Sequence, residues 1–361
     1  MSRTPRKKPR RMSPKKDLPV VRMTTPAQMV AALPIQMGYT PAESLVVMCC
    51  HEPRGRMGLT FRLDLPSAEH ERDVVEYVED TVRGQQATRV VLVVYTDEPD
   101  GEERARERLM NQLLAAFEDL VVTEALLVRD GRFWSYQCDD TRCCPVEGTP
   151  VDAAAESAAV QVLKLEQMSR GSGVVATRED LERTIAGPTF LAEEAALDRC
   201  DEAVDALLVA VTEDGLGPTR RKAVERWESA LSSMADPRWE PDDAEAVALT
   251  VSLSDVMVRD RVAGMWEQDD LTLRRLLESV ARRTPGEYDA PVCTTLAWVT
   301  YCDGAGTITS IALERALKSD PEYSMAQILD HALRNAFPPD FVRDVTRRTK
   351  AAVQERLDEA A

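Results

Sequence analysis

The stretch RVVLVVYTD, at Arg89–Asp97, decides the fold. Its six consecutive apolar residues, Val90–Tyr95, are mostly β-branched. A continuous apolar run of this length is typical of a strand that is buried on both faces of a sheet. Because such strands occur where helices cover the sheet, the stretch predicts an α/β unit around it.

The residues that follow this strand predict a parallel crossover. A helical pattern over 102–117 leads to a second apolar run, VVTEALLVRD, at 121–130. Strand, helix and strand in this order favour a parallel pair with a right-handed connection. Asp130 and Gly131 then form a hairpin signal before RFWSYQC at 132–138.

The residues that precede it predict an antiparallel hairpin. The run SLVVMCC at 44–50 is followed by GLTFRLDLP at 58–66, in which apolar and polar residues alternate. Residues 67–84 then read as an amphipathic helix. We therefore expect a mixed β-sheet with flanking helices, of the α/β or α+β class, over residues 23–150.

From Val151 onward the apolar pattern takes the period of helices, and we expect an all-helical domain over residues 151–361. The Ala-rich stretch 152–169 opens it. Further helices are predicted at 178–186, 189–213, 218–235, 241–258, 269–282, 289–301, 306–318, 323–334 and 339–358. Residues 289–334 have the small residues and prolines of tetratricopeptide-like helix pairs, without a clean repeat near 34 residues.

Charge is distributed unevenly along the 361 residues. The first sixteen residues carry eight basic groups and no acidic one, so a net charge of −17 for the whole chain leaves −25 for the rest. An acidic body repels nucleic acid and anionic lipid, which leaves only the tail as a nucleic-acid contact. We expect residues 1–22 to be a disordered basic tail.

Apolar runs are too short for a membrane span, which needs about 18 residues, and no apolar region of a secretory signal follows the basic start. These features predict a cytoplasmic protein without membrane contact. In that reducing compartment the eight cysteines are expected to be free thiols or metal ligands.

Cys138, Cys143 and Cys144 are the densest chemical feature of the sequence. Thiolates in such a turn can bind zinc with a fourth ligand from elsewhere. The spacing C-x4-C-C lacks the two C-x2–4-C pairs of a zinc finger. The missing ligand could be His51, or one of Cys49 and Cys50, since neighbouring strand residues point to opposite faces.

Two other interpretations of the cysteines stay open. They can be small apolar side chains that shape a loop under Trp134 and Tyr136. They can also be redox-active or nucleophilic thiols, and a nucleophile needs a base. Of the three histidines, His51, His70 and His331, we expect only His51 near the cysteines.

Several segments in order resemble a known family. The most specific are G-Y-T-P-x-E-S-L-V-V at Gly38–Val47, and W-S-Y-x-C with C-C-P-x-E-G-T-P in Trp134–Pro150. The chain resembles, over nearly everything except the basic tail, the actinobacterial family catalogued as domain of unknown function 4192. The resemblance implies an actinobacterium or a phage of one, and a cytosolic setting. It assigns no catalytic residue.

Two functional hypotheses follow. The first is a non-enzymatic regulatory or protein-interaction module, whose tetratricopeptide-like end offers a surface for a protein partner. The alternative is an enzyme, or a metal- or ligand-binding protein, that uses the turn of Cys138, Cys143 and Cys144 and the adjoining strand ends. For the alternative, we expect TPAESLVV at 40–47 to meet that turn in one pocket.

Overall fold

A computed structural model describes residues 21–359 apart from 54, 102–103 and 170–172. Residues 1–20 of the predicted basic tail therefore lie outside the described residues. The strands are β1 (Ser44–His51), β2 (Arg56–Asp64), β3 (Arg89–Tyr95), β4 (Val121–Arg129), β5 (Arg132–Ser135) and β6 (Thr149–Pro150). They form one mixed sheet in the order β2-β1-β3-β4-β5-β6.

Strand pairing confirms the three predicted connections. β1 and β2 form the antiparallel hairpin, β3 and β4 pair in parallel, and β4 and β5 are antiparallel across the Asp130–Gly131 turn. β1 is also antiparallel to β3, which places it inside the sheet between β2 and β3. The short β6, which was not predicted, pairs with β5 at the edge.

Helices cover both faces of the sheet. In the front half they are α1 (Pro26–Met37), α2 (Glu71–Gly84) and α3 (Glu107–Ala116). Because strand side chains alternate between faces, Val47, Leu92 and Leu127 pack against α2 and α3. The next residues in sequence, such as Val46 and Val93, pack with α1 and the helical region.

The helical region follows β6. Its helices are α4 (Asp152–Ala155), α5 (Ala158–Ser169), α6 (Arg178–Arg183), α7 (Phe190–Asp214), α8 (Leu216–Ser233), α9 (Asp243–Ser252), α10 (Val256–Ala263), α11 (Thr272–Ala281), a 3₁₀ turn (Gly286–Tyr288), α12 (Asp289–Asp303), α13 (Gly306–Ser319), α14 (Ser324–Arg334) and α15 (Pro339–Glu359). The predicted fold class, a mixed sheet with helices followed by a mostly helical region, is confirmed.

The structure divides two of the stretches that the sequence predicts to be helical. The stretch 241–258 forms α9 and α10, because the Asp255 carboxylate accepts hydrogen bonds from the amides of Met257 and Val258 and starts a new helix. The stretch 152–169 forms α4 and α5, and the chain leaves the helix at Glu156–Ser157. α3 begins only at Glu107, after Arg106 adopts a left-handed conformation.

α12 is the central helix of the back half. It contacts α10, α11, α13, α14 and α15, and most of its residues are buried. The helices predicted as tetratricopeptide-like pairs are α12, α13 and α14, and that likeness stays a prediction. Since α12 is enclosed, any surface for a partner in this span lies on α13 and α14.

The half-buried guanidinium of Arg315 connects the helices around α12. All five N–H donors of Arg315 have acceptors: both carboxylate oxygens of Asp289 and the carbonyls of Ile185, Ala281 and Thr284. The Ile185 and Thr284 carbonyls lie just beyond the ends of α6 and α11. The Ala281 carbonyl, at the end of α11, also accepts from the Thr284 amide. Arg315 thus joins α6, α11, α12 and α13.

No helix of the described ranges is long and apolar enough to cross a membrane.

Candidate metal centre

The three predicted cysteines lie in the loop that connects β5 to β6. Both sides of this loop are fixed to the sheet edge. The Trp134 indole donates to the Val146 carbonyl over 2.9 Å, and the Arg132 guanidinium donates to the Gly148 carbonyl over 2.8 Å. Gly148 has φ +78°, and a side chain there would meet the Trp134 ring at 2.5 Å. The ends of the loop are therefore held closely under Trp134.

A tight turn at Asp140 brings the cysteines together. The Asp140 carbonyl accepts from the amides of Cys143 and Cys144 over 3.0 and 2.8 Å. The Asp140 carboxylate accepts from the Arg142 amide over 3.0 Å and from the Arg142 guanidinium. This turn reverses the chain after Cys138, so that the two later cysteines return toward the first.

The three sulfur atoms form one group. The Sγ atoms of Cys138 and Cys143 are 3.2 Å apart, those of Cys143 and Cys144 are 3.8 Å apart, and all three lie within 4.8 Å of one another. Sulfurs bound to one tetrahedral zinc at about 2.3 Å are separated by about 3.8 Å. The spacing therefore suits a single ion that all three sulfurs bind.

The three cysteines of the cluster have different pKa values because their surroundings differ. The pKa of Cys138 is lowered because the Cys143 thiol, the Asp140 backbone and the Cys144 thiol stabilise its thiolate. The pKa of Cys143 is raised by the same bond to Cys138, and burial and both neighbouring thiols raise the pKa of Cys144 to about 12.

His51, the predicted fourth ligand, is not brought to the cluster. It ends β1, pairs with Arg56 and packs over Gly58 of β2. β3 and β4 lie between β1 and β5, a separation of about 14 Å at about 4.8 Å per strand. Cys49 is buried in the core under α2 and α3, and Cys50 lies beside it on β1. Within the described ranges, the cluster has only its three thiols as ligands of the His, Cys, Asp and Glu types.

The other two histidines have hydrogen-bond partners outside the thiol cluster. His70 is exposed and hydrogen-bonded to Ser67, and His331 contacts Asn335 within α14 and its end. The TPAESLVV segment leads into β1, and two strands, β3 and β4, lie between β1 and β5. The pocket expected between these two segments stays a prediction.

A cleft of about 820 Å³ lies instead in the helical region. Residues of α6, the start of α7, the 3₁₀ turn and α13 line it, and Arg315 and Asp289 form part of its wall. Six acidic and three basic side chains face it, and the acids include Glu193, whose carboxylate accepts from the Gly286 amide over 3.2 Å. No residue of the thiol cluster belongs to it.

Sequence reasoning identified the cysteines and missed what positions them. The roles of Arg132 and Gly148 depend on the backbone path between β5 and β6, which no local pattern reveals. The turn at Asp140 had a signal, since the side chain of an Asp in a turn often accepts from the amide two residues later.

Comparison with known proteins gives a family and no activity. A family model described as "Domain of unknown function (DUF4192)" matches residues 26–340. No curated protein and no solved structure matches the chain. The match covers well over half of the chain and includes the whole thiol cluster.

Proposed function

For this chain, which belongs to the DUF4192 family, we propose that the thiol cluster binds one Zn²⁺ ion and that the protein acts as a metal-dependent regulatory module without catalysis of its own. The observation that carries the proposal is the grouping of three sulfur atoms within 4.8 Å on a loop whose ends are fixed. Thiolates are the donors that zinc and other soft ions prefer.

The arrangement supports binding more than catalysis. Three protein ligands leave one position of a tetrahedral ion for a ligand from outside the group. A catalytic site would also need an acid or base beside that position. The two nearest carboxylates in sequence are those of Asp139 and Asp140. Asp140 is engaged by Arg142, and neither carboxylate nor any described histidine belongs to the group of ligand atoms.

The position of the β5–β6 loop in the chain supports a regulatory role. The chain leaves the sheet through β6 and enters α4, and the Val151 amide donates to the Gly131 carbonyl at this passage. An ion that binds Cys138, Cys143 and Cys144 would tie the loop to itself just before the chain enters the helical region. The same proposal includes a protein partner that senses this change. It also includes an actinobacterial or phage origin and a cytosolic setting. The family resemblance and the need for reduced thiols support the last two.

A competition titration of reduced, metal-free protein against a chromophoric zinc chelator tests the proposal. We expect one equivalent of zinc to bind, and each of Cys138→Ser, Cys143→Ser and Cys144→Ser to weaken binding by about 100-fold or more, since each removes one ligand. Cys50→Ser is the matched control, because its thiol is half-buried and outside the cluster.

His51→Ala separates the observed geometry from the sequence prediction. We expect it to bind zinc as the unaltered chain does, because β3 and β4 lie between the strand that ends at His51 and β5. The proposal would be overturned if the unaltered chain bound zinc no more tightly than a chain in which all three cysteines of the cluster are serine.

A further inference from the structure

The thiol cluster has a second chemical property besides its affinity for metal. The sulfurs of Cys138 and Cys143 are already in contact at 3.2 Å, and a disulfide would bring them to about 2.05 Å. A movement of about 1 Å is small for residues on an exposed turn. We propose that Cys138 and Cys143 form a reversible disulfide that displaces the metal ion from the cluster.

The pairing of Cys138 with Cys143 follows from the loop. Cys143 and Cys144 are neighbours in sequence, and a bond between them would close a strained ring across one peptide unit. Their sulfurs are also farther apart, at 3.8 Å. Cys138 approaches from the other side of the Asp140 turn and has no such constraint.

Exposure directs the reaction to this cluster. Cys143 is the exposed cysteine of the described residues, whereas Cys49, Cys200, Cys293 and Cys302 are buried. A small disulfide from solvent, such as glutathione disulfide, can therefore reach Cys143 first. The buried thiols lie in the cores of the sheet and of the helical region and are shielded from it.

The chemistry is thiol–disulfide exchange in two steps. The exposed Cys143 thiol first loses its proton to water, and its thiolate then attacks one sulfur of the small disulfide, which forms a mixed disulfide and releases one thiolate. The Cys138 thiolate then attacks Cys143 Sγ, which closes the protein disulfide and releases the second thiolate. Two electrons pass from the protein to the small disulfide. The released thiolates take up the protons of the two cysteines, or protons from water when the cysteines held metal.

Loss of the ion follows from loss of its ligands. Two of the three thiolates are consumed, and a disulfide sulfur does not replace a thiolate as a metal ligand. Cys144 alone would remain to hold the ion. The fixed ends of the loop, at Trp134–Val146 and Arg132–Gly148, limit the change to the turn between them. This release step rests on the proposed zinc binding, whereas the disulfide does not.

The test uses the full chain, first metal-free and then loaded with zinc, treated with glutathione disulfide. Intact mass should show the loss of two hydrogens, and peptide mapping should place the bond between Cys138 and Cys143. Cys138→Ser and Cys143→Ser should stop at the mixed disulfide or not react, while Cys144→Ser and the control Cys50→Ser should still form the bond. From the zinc-loaded chain, a chromophoric indicator should detect close to one equivalent of zinc released, and a dithiol reductant should restore binding.

The outcomes separate this inference from the proposed function. A chain that binds zinc in the titration but forms only a stable mixed disulfide, or a bond between Cys143 and Cys144, overturns the inference alone. Zinc retained after the Cys138–Cys143 bond has formed overturns the release step. A chain that binds no zinc overturns the proposed function and the release with it, even if the disulfide forms.

Discussion

The thiol cluster of the β5–β6 loop and the Arg315 network of the helical region are both compact groups of polar atoms, and they differ in what satisfies them. Every N–H donor of Arg315 has an acceptor from the protein itself. The three sulfurs contact mainly each other and the Asp140 carbonyl, on an exposed turn. A satisfied buried network holds a fold together, whereas grouped soft donors at the surface remain available to an ion.

This difference makes a first prediction, on stability. Arg315→Ala should lower the free energy of unfolding by about 3–5 kcal/mol at pH 8, because it leaves the buried Asp289 carboxylate and the Ile185 and Thr284 carbonyls without their donor. Chemical denaturation measures the loss. Zinc affinity of the folded fraction should be unchanged.

The control for that variant is Arg142→Ala, which breaks an exposed ion pair with Asp140 at the thiol turn. Surface pairs contribute little, so the unfolding midpoint should stay nearly unchanged. Equal losses for Arg142→Ala and Arg315→Ala would contradict the distinction between the two regions.

The second prediction concerns pH and the same network. Burial raises the pKa of Asp289 from its ordinary 3.8 to about 6, despite the neighbouring Arg315. The folded chain therefore binds the Asp289 proton more tightly than the unfolded chain does. The contribution of this proton to the free energy of unfolding is complete below about pH 4 and is lost as the pH rises through 6. Between pH 7 and 4 this group should add stability of about 2–3 kcal/mol. Asp289→Asn should flatten that part of the stability curve, and a curve unchanged by the substitution would refute the assignment.

A third prediction concerns the cluster. Zinc at 100 times its dissociation constant should stabilise the chain by about 2.7 kcal/mol, if the unfolded chain does not bind it. At the same zinc concentration, Cys138→Ser should reduce this gain to about 0.4 kcal/mol or less. It should leave the melting temperature in chelator unchanged, because the thiol supports no part of the core. Calorimetry with and without zinc measures both effects. Destabilisation in chelator would favour the interpretation that the cysteines only shape the loop.

The smallest expected loss of stability is at Gly148, near the end of the β5–β6 loop. Gly148→Ala should cost about 1–2 kcal/mol, because alanine is strained at φ +78° and its Cβ would displace the Trp134 ring. Zinc should bind more weakly, since the loop ends are no longer fixed. Gly131→Ala is the matched control: it has φ +69° and open space around it, so it should lose stability without losing zinc affinity.

Local patterns were enough for the strands and helices and not for their arrangement. Apolar runs identified β1, β3 and β4, and turn residues identified their hairpins. The position of β1 beside β3 depends on pairing between distant segments, and it is this placement that keeps His51 from the cysteines. The cap at Asp255, which divides 241–258 into two helices, had a local signal that the helical period outweighed.

The sequence predicted the part of the site that lies within one short loop and missed the parts that depend on distant segments. The close spacing of Cys138, Cys143 and Cys144 made the group visible in the sequence, since a short loop keeps them near each other. The Arg315–Asp289 pair was missed because its partners are 26 residues apart and its other acceptors are backbone carbonyls. The sequence signal for this pair was that Arg315 lies four residues after the buried Ile311, on the same side of α13.

X-ray absorption at the zinc edge of the zinc-loaded full chain tests the central claim most directly, because it counts the ligand atoms by element. The account predicts three sulfur ligands at about 2.3 Å and one lighter ligand. The spectrum of Cys143→Ser should lose one sulfur. A shell of oxygen and nitrogen alone in the unaltered chain would contradict the assignment of Cys138, Cys143 and Cys144 as the metal centre.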